Sequence, residues 1–160
     1  MNLICGIDPG VTGAIGFLFE DGAFAFVFDM PVVTATTGRK QVDALGLAAI
    51  LRRYPPTMTT VERVGPRPRE GAVGAFAFGH GLGTIQGVLA ALDLPYQFVQ
   101  PATWKRAAGI PSAADKAVSI TIAKQLIPSA ADHLTLIKHD GRAEALLIAR
   151  HHLTTRSNKP

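Results

Sequence analysis

The most constraining feature of the sequence is a short apolar run near its N-terminus. Residues 3–7 (LICGI) are continuously apolar, and the run ends at Asp8, which is followed by Pro-Gly. A run of this length without alternation predicts a strand that is buried on both faces and then a turn. Whatever else the chain forms must therefore cover both sides of this strand.

The other elements follow from periodicity and turn residues. Residues 13–19 and 23–28 flank the turn-like Glu-Asp-Gly and predict a hairpin that continues from the first strand. Further strands are predicted over 58–61 and 96–99, and helices over 42–53, 70–92, 101–107, about 112–126 and about 141–153. The pattern predicts one α/β domain, residues 1–153, with a mixed five-stranded sheet flanked by helices. Residues 154–160 are predicted to be a frayed polar tail.

The helix predicted over 70–92 is unusually rich in glycine. Each interior glycine costs about 1 kcal/mol relative to alanine, so a compensating contact is expected. Gly79, Gly83 and Gly87 are spaced by four and form one smooth stripe that another element can approach closely. We expect this stripe to pack on the protein's own sheet, with a dimer contact as the alternative.

Composition limits the kind of protein this is. The chain has 160 residues, of which 48% are apolar, and these are enough for one sizeable core. Its net charge of +4 makes a nucleic-acid partner a reasonable hypothesis, against a basic protein without one. The single cysteine, Cys5, excludes an intrachain disulfide and fits a reducing compartment. We find no signal peptide and no apolar run of membrane-span length, and expect a cytoplasmic protein of a bacterium or phage-infected cell, with an organelle left open.

Four acidic residues occupy positions that suggest a shared site. Asp8 and Glu62 end two predicted strands, and ligands bind beyond the carboxyl ends of strands in α/β sheets. Asp140 and Glu144 are four apart at the start of the last helix and therefore share a face. If the two strands are parallel neighbours, all four carboxylates can face one place.

Four carboxylates in one pocket repel one another unless a cation neutralises them. Mg²⁺ prefers oxygen ligands and binds through a few carboxylates together with substrate phosphates. Two such ions about 3.5–4 Å apart can clamp the attacking and leaving oxygens of a phosphodiester. Taken singly, each acid also has a structural interpretation: Asp8 as a turn residue, Asp140 as a helix cap, and Glu62 and Glu144 as solvated side chains.

Basic residues follow the second acid directly. Arg63, Arg67 and Arg69 lie in or beside the proline-rich segment VGPRPR. We expect them to hold a DNA backbone, which positions a substrate without reading its sequence. The alternative is a solvated basic loop.

The acidic residues stand in motifs that are similar to those of a known family. IDPGVTG around Asp8, TVERV around Glu62, and HDGRAEALLIA around Asp140 and Glu144 resemble the RuvC family of Holliday junction resolvases, within the ribonuclease H-like superfamily. The resemblance runs from about residue 4 to residue 151. Lys105 and Lys116 are eleven apart, as are two basic residues that the family uses beside its active site.

The resemblance implies a homodimer that nicks two opposed strands of a four-way DNA junction symmetrically, using two Mg²⁺ ions or Mn²⁺ in their place. It implies that the metal ligands are Asp8, Glu62, Asp140 and Glu144. One ion, on Asp8 and the C-terminal pair, would activate a water, and the other, on Asp8 and Glu62, would stabilise the leaving 3′-oxygen. The catalytic set is completed by Lys105 and Lys116, which would contact phosphate near the scissile bond.

The sequence also departs from the bacterial pattern. Bacterial relatives have Asp-x-x-Asp near the C-terminus, whereas the spacing of Asp140 and Glu144 is that of phage and chloroplast-type members, with His139 as a fallback ligand. The aromatic residue that stacks on junction bases in bacterial members is missing after Glu62. Phe76 and Phe78 lie farther on and are predicted to be core residues. Trp104 is predicted to be a core or domain-edge anchor.

Three alternatives remain open. A related nuclease that processes RNA would use the same acids, and a module that binds junctions without cutting them would not need them. The segment from Asp8 to Gly13 also resembles phosphate-binding motifs of actin-like and sugar-kinase ATPases. Those proteins need two such domains, and a chain of 160 residues lacks room for them.

Overall fold

The structure is a computed structural model and describes residues 2–63, 65, 71–112 and 114–157. Its elements in chain order are β1 (Leu3–Asp8), β2 (Ala14–Phe19), β3 (Phe24–Asp29), β4 (Val32–Thr34), β5 (Lys40–Val42), α1 (Ala44–Arg53), β6 (Met58–Glu62), α2 (Ala72–Ala91), β7 (Tyr96–Val99), α3 (Pro101–Ala108), α4 (Lys116–Leu126) and α5 (Asp140–Ser157). Two short 3₁₀ helices, Pro128–His133 and Ile137–His139, connect α4 to α5.

The main sheet has the strand order β3-β2-β1-β6-β7. β2 runs antiparallel to β1 and β3, while β6 runs parallel to both β1 and β7. The predicted single domain with a mixed five-stranded sheet flanked by helices is confirmed. The parallel pairing of β1 with β6, on which the convergence of Asp8 and Glu62 depended, is confirmed as well.

Helices cover both faces of β1, as its unbroken apolar run requires. Ile4 packs into an apolar cluster with residues of α3, α4 and α5. Cys5 and Ile7 point to the opposite face and pack with residues of α1 and α2. Because side chains alternate along a strand, one short segment contributes to two cores.

α5 lies unusually close to the sheet because two glycines face it. Gly6 and Gly16 are direct partners in the β1–β2 ladder. A β-carbon on Gly6 would lie 2.1 Å from the carbonyl oxygen of Ala145, and one on Gly16 would lie 2.9 Å from the amide of Leu146. The absence of both β-carbons lets α5 cross β1 and β2 in backbone contact. This brings the first turn of α5 to the carboxyl end of β1.

Several element boundaries differ from the prediction. The short β4–β5 hairpin was not predicted, because each strand has only three residues and the side chains of Thr34 and Lys40 are polar. α4 begins at Lys116. The side chain of Asp115 caps it by accepting hydrogen bonds from the backbone amides of Ala117 and Val118. α5 continues to Ser157, so the first four residues of the predicted tail are helical and the rest lie outside the described residues.

The glycine stripe of α2 does not pack on the sheet, so that prediction is wrong. The buried face of the helix carries Gly81, Ile85 and Leu89. Gly79, Gly83 and Gly87 lie on the opposite face, and a β-carbon at any of them would meet nothing within 4 Å.

α2 is also apolar enough and long enough to match a membrane span, although only 11% of its apolar window is buried. The expectation that no segment reaches this length is therefore wrong for α2. One such helix is weak evidence for a span. The low burial of α2 does show that the described part of the chain leaves an apolar face of this helix largely uncovered.

Candidate active site

The four predicted carboxylates converge at the carboxyl edge of the sheet. Ile7 of β1 is in register with Val61 of β6, so Asp8 and Glu62, the next residues, end neighbouring parallel strands. Asp140 and Glu144 stand on the first turns of α5, which passes over β1. All four line one cavity of about 1300 Å³. The predicted convergence is thus present in the structure.

Asp8 is the electrostatic centre of this group. Burial raises the pKa of its carboxyl well above the usual range, and the carboxylates of Glu144, Glu62 and Asp140 raise it further. The ammonium of Lys105 opposes the shift. The site therefore favours either a proton on Asp8 or additional positive charge beside it.

Two lysines neutralise the acids of α5. The Nζ of Lys105 lies 3.3 Å from Oε1 of Glu144, and the Nζ of Lys116 lies 2.7 Å from Oδ2 of Asp140. The hydrogen bond to Asp140 raises the pKa of Lys116. Lys105 stands on α3 and Lys116 is the first residue of α4, so two different helices each deliver one ammonium to the site.

Two further side chains hold the carboxylates, and the sequence analysis did not assign them to the site. Nε1 of Trp104 donates a hydrogen bond of 2.9 Å to Oε1 of Glu62. Oγ of Ser119 donates one of 3.0 Å to Oε1 of Glu144. Trp104 is fully buried, as the prediction of a core anchor required, and its N–H reaches the site. Ser119 lies three residues after Lys116 on one helix, and this spacing could have predicted that both side chains face the site.

The start of α5 is fixed by a bidentate ion pair that the sequence analysis also missed. Nε of Arg142 lies 2.6 Å from Oδ1 of Asp29, and its Nη2 lies 2.8 Å from Oδ2. The guanidinium lowers the pKa of Asp29. The pair ties the first turn of α5 to the end of β3 and so orients Asp140 and Glu144.

Comparison with known proteins places this fold. No protein-family model matches the sequence, and no curated protein matches it. Among solved structures, RuvC of Thermus thermophilus in complex with a Holliday junction substrate superposes with a TM-score of 0.68 at 19% identity, covering 99% of this chain and 98% of that chain. The fowlpox virus Holliday junction resolvase gives 0.64 at 16%, covering 96% and 99%. The yeast mitochondrial Holliday junction resolvase gives 0.50 at 13%, covering 98% and 79%.

The chain has the fold of these resolvases. At such identities the likeness establishes architecture and not activity. It confirms the ribonuclease H-like architecture that the motifs around Asp8, Glu62 and the α5 acids implied. Nearly the whole chain takes part, so the described site belongs to the shared fold and not to an added segment.

The donor set of this site fits a hard divalent cation. Carboxylate oxygens are the ligands that Mg²⁺ prefers, and a cation beside Asp8 would offset the burial and the neighbouring carboxylates that raise the pKa of this residue. Among the described residues, however, no three His, Cys, Asp or Glu side chains form a ready-made metal cluster. Glu62, Glu144 and Asp140 each contact a donor side chain of the protein.

The predictions for a histidine and two phenylalanines near the site have different outcomes. Among the described residues that line the cavity, His139 is absent. Its Nδ1 accepts a hydrogen bond of 3.3 Å from the amide of Leu136. In this structure His139 therefore stabilises a turn and does not take the position of a fallback ligand. Phe76 lines the cavity and is 76% exposed, so its prediction as a core residue is wrong. Phe78 also lines the cavity and is partly buried.

Of the three arginines predicted to hold DNA, Arg63 lies among the described residues. Arg63 is exposed, and its guanidinium lies 5.4 Å from the centroid of the Phe98 ring. It is not among the described residues that line the cavity. Arg67 and Arg69 lie outside the described residues.

Proposed function

We propose that this protein is a metal-dependent endodeoxyribonuclease that resolves four-way DNA junctions by paired, symmetric nicks. The observation that carries the proposal is the convergence of four carboxylates at the end of β1, in a cavity large enough for a nucleic-acid strand. The architecture supports it, because the solved proteins of the same fold are Holliday junction resolvases. The sequence motifs at the same four positions point the same way.

The residues that would hold Mg²⁺, or Mn²⁺ in its place, are the four acids. Asp8 would serve two ions, one shared with Asp140 and Glu144 and the other shared with Glu62. When bound, the ions supply a nucleophilic water and stabilise charge on the leaving oxygen. Asp8 is suited to hold a cation because burial and the carboxylates of Glu144, Glu62 and Asp140 all disfavour its charge in the absence of one.

Lys105 and Lys116 have two roles in this proposal. In the absence of a cation they offset the charge of Glu144 and Asp140. With those carboxylates holding a cation, the two ammonium groups would be free to turn to a phosphate in the same cavity and offset its developing negative charge. The Lys116 side chain is 70% exposed, so little packing opposes this movement.

The DNA is held by groups around the cavity. We assign backbone contacts to Arg63, Arg67 and Arg69, which follow Glu62 in the chain. Phe76 supplies an exposed ring at the cavity wall, and a ring in that position can stack on an unpaired base. No aromatic residue directly follows Glu62, so in this proposal the stacking role falls to Phe76 of α2.

The protein acts as a homodimer in this proposal, because paired nicks need two sites. The exposed glycine stripe of α2, together with Val73 on the same helix, offers an apolar face for a second copy. Gly79, Gly83 and Gly87 would let two such helices approach closely.

A substrate panel tests the proposal. Fixed and mobile four-way junctions, flaps, linear duplex and a structured RNA should be incubated with the protein in Mg²⁺ and in EDTA. We expect symmetric nicks in the junctions, ending in 5′-phosphates, only with Mg²⁺. Preferred cleavage of the RNA would favour an RNA-processing nuclease. Tight junction binding without cleavage under any metal would favour a non-catalytic binding module.

A further inference from the structure

The β4–β5 hairpin forms a wall of the cavity that holds the four acids. Arg39, Lys40 and Gln41 line this cavity together with Asp8 and Glu62. The hairpin is a two-stranded sheet separate from the five-stranded sheet, and we call it the arm. Nothing in the function proposed above uses this arm.

The arm packs against α2 at its base, and a backbone hydrogen bond closes its turn. Val42 is buried, and its Cγ2 lies 3.6 Å from a β-carbon placed on Gly81 of α2. At the tip, the amide of Ala35 donates to the carbonyl of Arg39 at 2.8 Å. Arg39 and Lys40 are therefore presented on an ordered turn beside the cavity.

The charges of the cavity-lining residues are unevenly compensated. Four described lining residues carry a full positive charge: Arg39, Lys40, Lys105 and Lys116. The last two are paired with carboxylates of α5. Within the described part of the chain, no ion pair engages the two on the hairpin. Their charge faces the cavity and is available to an anion.

We propose that the β4–β5 hairpin is a phosphate-binding arm, in which Arg39 and Lys40 contact the backbone of the DNA strand that enters the cavity. The inference rests on the proposed function and deepens it, because it assigns the approach path of the substrate. The charge of the four acids works against the approach of a phosphate until cations offset it, and further cations along the path of the strand would favour its entry. The arm provides two such cations on the wall of the same cavity.

Salt-dependent DNA binding tests this arm. The affinity of the full-length protein for a labelled four-way junction and for linear duplex should be measured in EDTA over a range of KCl concentrations. Each phosphate contact contributes about 0.9 to the slope of log affinity against log salt. The double variant Arg39→Ala/Lys40→Ala should lower the slope by about 1 to 2. The matched control is Arg52→Ala/Arg53→Ala, which removes the same charge from the exposed end of α1, outside the cavity.

A slope that stays at the wild-type value in the hairpin variant, or that falls equally in the control, overturns the inference. If the wild type nicks junctions while the hairpin variant keeps its slope, the arm is refuted and the proposed function stands. If the wild type neither prefers nor cuts junctions, the proposed function fails. The slope difference on duplex DNA then still decides whether the arm binds phosphate.

A different observation carries a second inference. Trp104 is the only tryptophan of the chain, is fully buried, and gives its N–H to Glu62 at 2.9 Å. The Nζ of Lys105, the next residue, lies 5.1 Å from the centroid of its ring and 3.3 Å from Glu144. A single turn of α3 thus contacts carboxylates that come from β6 and from α5.

We infer that Trp104 is a positioning residue that orients Glu62 toward a divalent cation. A buried indole N–H needs an acceptor, and here the acceptor is one of the four carboxylates that fit the cation. Donors behind a metal ligand fix its orientation, and their loss costs about 10–100-fold in metal affinity or activity. Trp104→Phe keeps the ring and removes only the donor.

The test measures metal binding directly. Mn²⁺ affinity, followed by calorimetry without DNA, should weaken by about 10–100-fold in Trp104→Phe. The control is Phe17→Leu, which changes an equally buried ring in the apolar cluster on the other face of the sheet. A purely structural role for Trp104 predicts equal Mn²⁺ affinity in the two variants and would refute the inference.

A second readout does not depend on that variant folding. Because the chain has one tryptophan, its fluorescence reports on the contact with Glu62. Mg²⁺ should change the emission of the wild type, and Glu62→Gln should remove most of that change. An identical response in both proteins would overturn the inference.

Discussion

Asp8 is the residue at which stability and the proposed function conflict. It ends a strand whose other residues are all buried, and three other carboxylates raise its pKa. Burial and these neighbours raise the pKa of Asp8, so its charged form is disfavoured in the metal-free protein. We therefore expect a neutral side chain at this position to be more stable in the metal-free protein, and a cation beside Asp8 to remove the difference.

The pH dependence of stability follows from this shift. A carboxyl whose pKa is raised in the folded state contributes stability below its ordinary pKa, and that stability is lost as the pH rises through the folded value. Asp8→Asn should therefore raise the melting temperature of the protein in EDTA at neutral pH, by about 2–4 °C for each kcal/mol gained. Melting curves of both proteins between pH 4 and 8 check this. An equal or lower melting temperature for the variant at pH 8 would contradict it.

Lys116 makes a complementary prediction at the residue scale. Its ion pair with Asp140 is largely exposed and should add little to stability. Lys116→Ala should therefore leave the melting temperature almost unchanged and lower junction cleavage by about 100-fold, because a cation beside the phosphate is lost. Lys124→Ala, on the same helix but outside the cavity, is the control. Cleavage by Lys116→Ala at the rate of that control would refute the catalytic role.

At the scale of elements, the seating of α5 on the sheet assembles the site. The helix carries two of the four acids, and its position depends on the missing β-carbons of Gly6 and Gly16. The Arg142–Asp29 pair then fixes its first turn. A helix at an ordinary distance from the sheet would carry Asp140 and Glu144 away from Asp8.

Gly6→Ala tests this arrangement. The new methyl group would lie 2.1 Å from the carbonyl oxygen of Ala145 and 2.4 Å from the amide of Ala149, and both obstacles are backbone atoms. The variant should be destabilised by about 3 kcal/mol or more and should lose cleavage even where it remains folded. Urea unfolding and junction cleavage at low temperature measure both effects. If Gly6→Ala unfolded at the same urea concentration as the wild type, α5 could move away from β1 without a cost in stability.

The sequence predicts some elements well and others poorly, for physical reasons. The apolar run before Asp8 and the helical spacing of Asp140 and Glu144 are local patterns, and they predicted both the parallel strand edge and the acidic cluster. The contact between Trp104 and Glu62 joins residues 42 apart, and no local pattern encodes it. The direction of the glycine stripe on α2 was predicted wrongly, because both faces of that helix are apolar and periodicity cannot choose between them.

At the scale of the whole molecule, the uncovered apolar face of α2 calls for a partner. Val73 is exposed, and the glycine stripe presents no side chains beyond its backbone. Exposed apolar faces mark interaction sites. A second copy of the chain would cover the stripe and would supply the second site that the proposed paired nicks require.

Sedimentation tests the dimer. The wild type should sediment as a dimer at micromolar concentration, and Gly83→Glu should sediment as a monomer, because a charge would interrupt the close approach of two helices. Leu45→Glu is the control, since Leu45 is also an exposed apolar residue but lies on α1. A monomeric wild type would refute a preformed dimer. Recovery of the wild type only with lipid vesicles would assign the face to a membrane instead.

The most direct test of the central claim is cleavage of a synthetic four-way junction by the wild type and by Asp8→Asn. With Mg²⁺, the wild type should introduce symmetric nicks into two opposed strands. Asp8→Asn should bind the same junction with nearly unchanged affinity and leave it intact, because the carboxylate that two cations would share is gone. Full cleavage by Asp8→Asn would contradict the assignment of the four acids as the catalytic centre.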